Sequence, residues 1–282
     1  MSNPPLSETG VFTELQLPSE EYSWTDKDKS GYGGFGISIL KALLRYRILN
    51  RANLEKVLKI KSSDRWKKDS LSKVLRGLRV SGHITAHFIN ASSLTAYTLT
   101  EAGEEYLTEK GLTIPDMTTG KELIKDTKTA LKWLSVNQWH IGILSQIHEK
   151  EAFYNQFVID QKKVPSLVRY RTDMGLITLF AYPAPRTGDS INSFVEEILK
   201  AHHFVLEHPK YFPASYVIIC ESRTAAQNLA HQMSYIRQMR PIQDLLYIYD
   251  ESTGRDRFLN ALYMYDVAEE DFTKISTSLQ GM

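Results

Sequence analysis

The spacing of apolar residues changes from a helical period to a strand period at Gly82, and this change limits the fold of the surrounding segment more than any other feature. In the helical segment that ends there, four apolar residues share one face: Leu71, Val74, Leu75 and Leu78. Beyond Gly82, apolar and polar residues alternate over 83–89 and again over 94–100, which is typical of two paired strands. Because glycine commonly follows the end of a helix, we predict a helix that is followed at once by a β-hairpin.

Further helices are predicted on both sides of this helix and hairpin. One begins at Ser38, and a short one covers residues 51–60. After the turn at 90–93 and the second strand, Thr100 is a suitable N-cap for a closing helix. Three helices, a hairpin and a closing helix are the order of elements in a winged helix-turn-helix domain, which we predict for residues 38–111.

The segments that flank this domain have a different composition. Residues 1–37 contain several prolines and glycines and few apolar residues, and they are predicted to form a flexible N-terminal arm. The glycine cluster at 31–36 lacks the Lys and Ser or Thr of a P-loop, so we interpret it as a hinge into the first helix and not as a phosphate cradle. Residues 112–120 are predicted to be a linker, and residues 121–282 a second domain.

Positive charge is concentrated in the predicted winged-helix domain. Between Ser38 and Asn90 the chain has 13 Lys and Arg residues against three acidic ones, a net charge of +10, whereas the whole chain carries only +1. A basic surface of this density is typical of proteins that bind nucleic acid, and a merely solvated surface is the alternative. We therefore predict double-stranded DNA as the partner.

Contacts with DNA are expected from the third helix, which enters the major groove in helix-turn-helix proteins, and from the wing. Lys and Arg would bind phosphates, whereas side chains that reach base edges would select the sequence. The predicted DNA-binding residues are Arg65, Trp66, Lys67, Lys68, Ser70, Ser72, Lys73, Arg76 and Arg79, with Asn90, Ser92 and Ser93 at the wing tip. The candidates for base recognition among them are Ser70, Ser72, Lys73 and Arg76. Trp66 could instead pack as core below the start of the helix, and the sequence leaves both roles open.

The second domain combines helical and strand patterns. A helical region at 121–147 comes first. The predicted strands cover 153–159, 166–170, 176–182, 216–220 and 245–249, and the predicted helices cover 193–208 and 225–239. A last strand is predicted within 257–265. This is the layout of a restriction-endonuclease-like α/β core, so we predict an α+β fold class for the whole chain.

With both domains in place, the chain resembles the replication-relaxation proteins of plasmids and integrative elements. The resemblance covers roughly residues 38–266. It rests on the order of elements, on the segment around Val164-Pro165, and on the Tyr97–Gly103 step, which reads Y-x-L-T-x-x-G. It implies a winged helix joined to a nuclease-like domain. It also implies a sequence-specific DNA-binding protein that marks an origin for a relaxase or replication protein in plasmid replication, DNA relaxation or conjugative transfer.

The sequence of the second domain departs from the catalytic pattern of nucleases with this fold. Metal-dependent members place an Asp after a Pro at one strand start and Glu-x-Lys on the next strand, because carboxylates hold Mg²⁺ while Lys supports the attacking water. Here Ser166 follows Pro165, the strand at 176–182 has neither acid nor Lys, and Asp173 in the intervening turn is a single carboxylate. We therefore predict no enzymatic activity, no metal site and no other cofactor. A divergent Mg²⁺-dependent nuclease is an alternative.

The remaining features concern the compartment and the other alternative. The single cysteine, Cys220, excludes a disulfide framework, and no apolar run approaches the ~18 residues of a membrane span. The first ten residues lack the pattern of a signal peptide. We expect a cytoplasmic protein without membrane contact, and a second domain able to form a homodimer. The main alternative function is a winged-helix transcriptional regulator with a dimerisation or sensing domain.

Overall fold

The structure, a computed structural model, describes residues 33–89, 94–112, 120–144, 150–159, 162–172, 175–186, 188–240, 242, 245–249 and 262–274. Its helices and two β-sheets confirm the predicted α+β class. The described residues divide into two compact units, and the boundary in the chain lies between Ile141 and Gly142. None of the helices in these ranges is long and apolar enough to cross a membrane.

The first unit contains helices arranged around a three-stranded antiparallel sheet. Its elements are α1 (Gly33–Tyr46), β1 (Ile48–Asn50), α2 (Arg51–Val57), α3 (Arg65–Val80), β2 (Ile84–Ile89), β3 (Leu94–Leu99), α4 (Glu101–Glu109), α5 (Gly120–Leu123) and α6 (Thr127–Leu144), the last as far as Ile141. The strand order is β1-β3-β2, so β3 lies in the centre of the sheet. Apolar residues of α1 and α3 are buried, which places the core of the unit between these helices and the sheet.

The first helix begins earlier than predicted. α1 starts at Gly33, so residues 33–36 of the glycine cluster that we assigned to a hinge form its first turn. Phe35 is buried, and Ser38 Oγ donates a hydrogen bond to the carbonyl oxygen of Gly34 at 2.8 Å. The buried phenylalanine stabilises a turn whose glycines alone disfavour a helix. Residues 1–32, the rest of the predicted arm, lie outside the described residues.

The hairpin lies where the alternation of apolar residues predicts it. β2 and β3 pair antiparallel, from Ile84 opposite Leu99 to Ile89 opposite Leu94. The turn between them lies outside the described residues. The short strand β1, which we did not predict, pairs with the other edge of β3. Three residues are too few to produce a recognisable alternation, so only the pairing identifies this strand.

Thr100 and Gly103 fix the passage from the hairpin into α4. Thr100 Oγ1 accepts a hydrogen bond from the backbone N–H of Gly103 at 3.1 Å, which confirms Thr100 as the N-cap. The same hydroxyl donates to the carbonyl oxygen of Gly82 at 2.6 Å. A Cβ atom at Gly103 would lie 2.2 Å from the carbonyl oxygen of His83. The first turn of α4 therefore packs directly against the backbone at the start of β2, and this close approach requires glycine.

The division into units differs from the domain boundaries expected from the sequence. Residues 121–141, which we assigned to the second domain, belong to the first unit. Ala130 and Leu134 of α6 share a buried cluster with Ile48 of β1. The side-chain amide of Asn137 donates to the carbonyl oxygen of Tyr46 at 3.1 Å and also to that of Ile48. Apolar periodicity shows that a helix has a buried face but not which neighbour covers it, so only the tertiary contacts reveal the boundary.

The second unit is built on one sheet whose order is β10-β9-β8-β7-β6-β5-β4. Its strands are β4 (Lys150–Ile159), β5 (Lys162–Thr172), β6 (Gly175–Pro183), β7 (Ala214–Cys220), β8 (Leu245–Tyr249), β9 (Tyr263–Asp266) and β10 (Asp271–Lys274). Its helices are α7 (Ile191–Glu207), α8 (Arg223–Ser234) and two short 3₁₀ helices at Pro209–Tyr211 and Arg237–Met239. Strands β6, β7 and β8 are parallel, and the pairs on either side of them are antiparallel.

The central strands of this sheet are buried on both faces. One face, which includes Phe180 and Ile218, packs in a single cluster with α7 and α8. Four residues that share one face of α7 are buried in this cluster: Phe194, Ile198, Ala201 and Val205. Residues on the opposite face of the strands, among them Leu179 and Val217, are buried as well. Burial on both faces explains why Tyr216–Cys220 forms a continuous apolar run without alternation.

Candidate nucleic-acid interface

One face of α3 is anchored in the core and the opposite face is exposed. Leu71, Leu75 and Leu78 are buried. The polar face is exposed through four residues spaced at one-turn intervals: Asp69, Ser72, Lys73 and Arg76. A helix anchored in this way can present its polar side chains to a partner while its apolar side chains stay in the core.

The cations of α3 fall into two groups. Arg65, Lys73, Arg76 and Arg79 are exposed. Lys67 and Lys68 are partly buried and each lies beside a carboxylate: Lys67 Nζ is 3.3 Å from Asp64 and Lys68 Nζ is 3.7 Å from Glu55. The backbone N–H of Lys61, followed by the nearby Lys67 ammonium, holds the pKa of Asp64 below its ordinary value. The exposed cations are therefore those of α3 whose charge is least balanced by carboxylates of the protein itself.

Trp66 lies on the surface and not in the core. Its side chain is 63% exposed in the first turn of α3, which excludes the alternative that it packs below the helix. The Lys67 ammonium lies 5.6 Å from the centre of its ring. An exposed aromatic ring beside a cation can contact a sugar or a base while the cation contacts a phosphate.

The two serines of α3 use their hydroxyl protons within the helix. Ser70 Oγ donates to the carbonyl oxygen of Trp66 at 2.9 Å, and Ser72 Oγ donates to that of Lys68 at 3.0 Å. Ser72 Oγ also accepts a hydrogen bond from Arg51 Nη1 at 2.8 Å. Neither hydroxyl has a proton left for a base acceptor, and a hydroxyl has only one to donate. Lys73 and Arg76 are therefore stronger candidates for base recognition than the serines.

Arg51, which we did not include among the predicted site residues, joins α2 to α3. Its guanidinium donates from Nε to Glu55 Oε1 at 2.9 Å, from Nη1 to Ser72 Oγ and from Nη2 to the carbonyl oxygen of Lys68 at 3.2 Å. The Arg51 side chain nevertheless remains 46% exposed. The spacing of Arg51 and Glu55 indicates an i,i+4 ion pair, but no sequence signal points to the contacts with α3.

The wing contributes described residues only in its strands. The predicted contact residues Asn90, Ser92 and Ser93 lie outside the described residues. On β2, Phe88 is exposed, whereas the His87 ring hydrogen-bonds to Thr98 Oγ1 at 2.9 Å. Burial lowers the pKa of His87, which favours its neutral form near pH 7. Since a neutral, hydrogen-bonded ring adds no charge, the wing strands supply an exposed aromatic ring but no cation here.

In the second unit, the strand that carries the catalytic residues in nucleases of the expected fold is apolar and buried. The side chains of β6 from Thr178 to Tyr182 are all buried. Asp173 lies outside the described residues, and no group of three or more His, Cys, Asp or Glu side chains in the described ranges is placed to hold a metal ion. Burial raises the pKa of the Tyr182 hydroxyl well above its ordinary value, so this phenol stays neutral.

A cavity of about 270 Å³ opens beside α8 and the 3₁₀ helix that follows it. Its lining is mostly apolar and includes Met233, Met239 and Met264, together with side chains of β8. Arg240 is the one charged residue among the described lining residues. A small, mostly apolar space with a few polar groups in its lining is typical of sites for small organic molecules.

Three features bear on function: the exposed basic face of α3, the joint at which Arg51 of α2 hydrogen-bonds to Ser72 and Lys68 of α3, and the cavity beside α8. The first two lie within one compact unit and share the partly buried Lys68. Comparisons of the chain with known protein families, with curated proteins and with solved structures give no match.

Proposed function

We propose that the first unit is a winged helix-turn-helix domain and that the protein binds double-stranded DNA with α3 in the major groove. The order α1-β1-α2-α3-β2-β3 and the sheet order β1-β3-β2 support the fold. The observation that carries the function is the exposed polar face of α3, which bears Lys73 and Arg76 opposite the buried side chains of Leu71, Leu75 and Leu78. Such a helix can enter a groove without any change in its own packing.

The proposal divides the contacts into two kinds. Arg65, Lys67, Lys68 and Arg79 bind phosphates, which gives affinity without sequence selection. Lys73 and Arg76, in the middle of the exposed face, reach the base edges, and arginine pairs best with the two acceptors of guanine. Trp66 contacts the backbone or a base beside the start of α3. The wing tip completes the interface with a contact to the minor groove or to the backbone.

Substitutions in α3 should separate these two kinds of contact. Arg76→Ala is expected to weaken binding to the cognate site by roughly 1–3 kcal/mol more than binding to random DNA, because a base contact is lost. Lys67→Ala and Lys68→Ala should weaken binding to the cognate site and to random DNA about equally. The cognate site is first located by footprinting on origin and upstream DNA, and the affinities are then measured by fluorescence anisotropy. Equal losses on both DNAs for Arg76→Ala would make Arg76 a phosphate contact instead.

We place this DNA-binding activity in a mobile element. The resemblance to replication-relaxation proteins supports this placement. In this role the protein marks an origin in plasmid replication, DNA relaxation or conjugative transfer, and its partner there is a relaxase or replication protein. A cytoplasmic location and a homodimer through the second unit belong to this proposal. A relaxase or coupling-ATPase gene beside the gene for this chain would support it.

A transcriptional regulator is the second candidate function. The specific observation in its favour is the cavity beside α8, with its methionine-rich lining and Arg240. A ligand in this cavity would make the second unit a sensing domain for the same DNA-binding unit. Operator sites confined to the promoter of a neighbouring metabolic or resistance gene would favour this candidate over a role at an origin.

The second unit is proposed to be non-catalytic, so we expect no phosphodiester cleavage. Mg²⁺ gives up its water reluctantly and needs one or two well-placed carboxylates to stay beside a phosphate. The buried part of β6 from Thr178 to Tyr182 has no carboxylate to supply. The measurement is incubation of the full chain with supercoiled and linear DNA in Mg²⁺ and in Mn²⁺, beside Asp173→Ala. Metal-dependent nicking that disappears in Asp173→Ala would place the protein among the nucleases.

A further inference from the structure

We propose that the joint between α2 and α3 is a preorganised binding site for one phosphate of the DNA backbone, with Arg51 as its principal ligand. The inference rests on the proposed function, because it assumes that α3 lies against DNA. Arg51 lies outside the basic helix itself, and it adds a contact from α2 to those from α3.

Three acceptors hold the Arg51 guanidinium in one orientation. They are Glu55 Oε1 at 2.9 Å on the same helix, and Ser72 Oγ at 2.8 Å and the carbonyl oxygen of Lys68 at 3.2 Å on α3. A guanidinium has five N–H donors, so three of these bonds leave two donors for another acceptor. Because the side chain is 46% exposed, an acceptor in solution can reach it.

Preorganisation is what distinguishes Arg51 from the four exposed cations of α3, Arg65, Lys73, Arg76 and Arg79. A free arginine side chain loses rotamer freedom when it binds, and this loss weakens its contact with a phosphate. The three bonds within the protein have already removed most of that freedom before DNA arrives. The flat fork of a guanidinium also matches two phosphate oxygens, which a lysine ammonium cannot do.

Glu55 and Lys68 complete the charge balance of the joint. Lys68 Nζ lies 3.7 Å from Glu55 Oε2, so one carboxylate lies between two cations. The three side chains together keep a net positive charge, as a phosphate ligand requires. Glu55 therefore acts as a positioning residue that orients Arg51 through its own carboxylate.

The test compares Arg51→Gln, which removes the charge but keeps hydrogen-bonding groups, with Arg51→Lys, which keeps the charge. In counterion-release terms, loss of one phosphate contact lowers the salt slope of binding by about 0.9 and the affinity at 0.1 M salt by about eightfold. We expect these changes for Arg51→Gln, equally on cognate and random DNA. Arg51→Lys should keep the slope and lose part of the affinity. Lys56→Ala, which removes the same charge from the same helix, should change the slope by much less.

The outcomes of this test distinguish a failure of the inference from a failure of the proposed function. If the wild-type chain binds no DNA, the proposed function fails and this inference fails with it. If the wild-type chain binds DNA and Arg51→Gln keeps both slope and affinity, only the inference fails. A lower affinity with an unchanged slope in a folded Arg51→Gln, checked by circular dichroism, would show a purely structural joint and would also overturn it. Inorganic phosphate, titrated at constant ionic strength, tests for a site that binds only small anions. If the wild-type chain binds phosphate at millimolar concentration, and Arg51→Gln abolishes that binding but leaves DNA binding unchanged, the inference is contradicted.

Discussion

The affinity of the full chain for DNA should fall by about three orders of magnitude between 50 and 200 mM salt. Each cation that binds a phosphate displaces a condensed counterion, and about six such contacts give a loss of this size. Five cations of the proposed interface are assigned to phosphates and come close to this number: Arg51, Arg65, Lys67, Lys68 and Arg79. The measurement is a series of anisotropy titrations with one duplex at increasing NaCl, from which the slope of log K against log salt is taken.

A double variant of the exposed cations provides the control for this prediction. Arg65→Ala combined with Arg79→Ala removes two exposed charges at the two ends of α3 and should reduce the slope by about 2. Lys121→Ala combined with Lys125→Ala removes two charges from the segment around α5 and should leave the slope nearly unchanged. A wild-type slope close to zero would contradict binding through cation–phosphate contacts, and an equal loss of slope in both double variants would show that such contacts are not confined to α3.

Gly103→Ala should destabilise the first unit by about 2–3 kcal/mol. The added Cβ would lie 2.2 Å from the carbonyl oxygen of His83 and 2.8 Å from Cδ1 of Leu99, and the first of these neighbours is backbone. Overpacking of this kind costs roughly 1–3 kcal/mol because the backbone has to move. At an open helical position the same change would stabilise the protein by about 1 kcal/mol, so even the sign of the effect is informative.

The effect of Gly103→Ala is measured by urea unfolding and by hydrogen exchange of the Thr100 amide. That N–H donates to the carbonyl oxygen of His83 at 3.1 Å, so a shift of the His83 carbonyl should speed its exchange. Gly82→Ala is a matched control, because a Cβ there meets no atom within 4 Å and pays only for the φ of +80°, about 1–2 kcal/mol. Gly103→Ala with the stability of the wild type would show that α4 can move away from β2 without cost.

The features that the sequence alone predicts well are those set by near neighbours in the chain. The hairpin, the N-cap at Thr100 and the buried face of α3 follow from alternation, from capping chemistry and from helical spacing. The order of helices and strands from residue 150 to Tyr249 is likewise predicted, because each is a separate apolar run between turn residues. Each of these helices and strands can therefore be predicted from its own stretch of sequence.

Elements without such a local signal are found only in the structure. β1 has three residues, too few for a period, and β10 follows β9 closely at the end of the described chain. The first turn of α1 contains glycines, and only the burial of Phe35 explains why it is helical. β1 is stabilised by the distant strand β3 and the first turn of α1 by the burial of Phe35, which a short window of sequence does not contain. β10 pairs with the neighbouring β9, but its four residues are too few for a recognisable alternation.

The sequence by itself determined the basic character of the first unit and the face of α3 that carries it. The tertiary structure decided three further matters: that Trp66 is exposed, that α6 as far as Ile141 belongs to the first unit, where Asn137 contacts Tyr46, and that Arg51 reaches Ser72. The physical reason is the separation of the partners. Asn137 and Tyr46 lie 91 residues apart, and Arg51 and Ser72 lie 21 apart, so their contacts depend on how whole helices are placed and not on local periodicity.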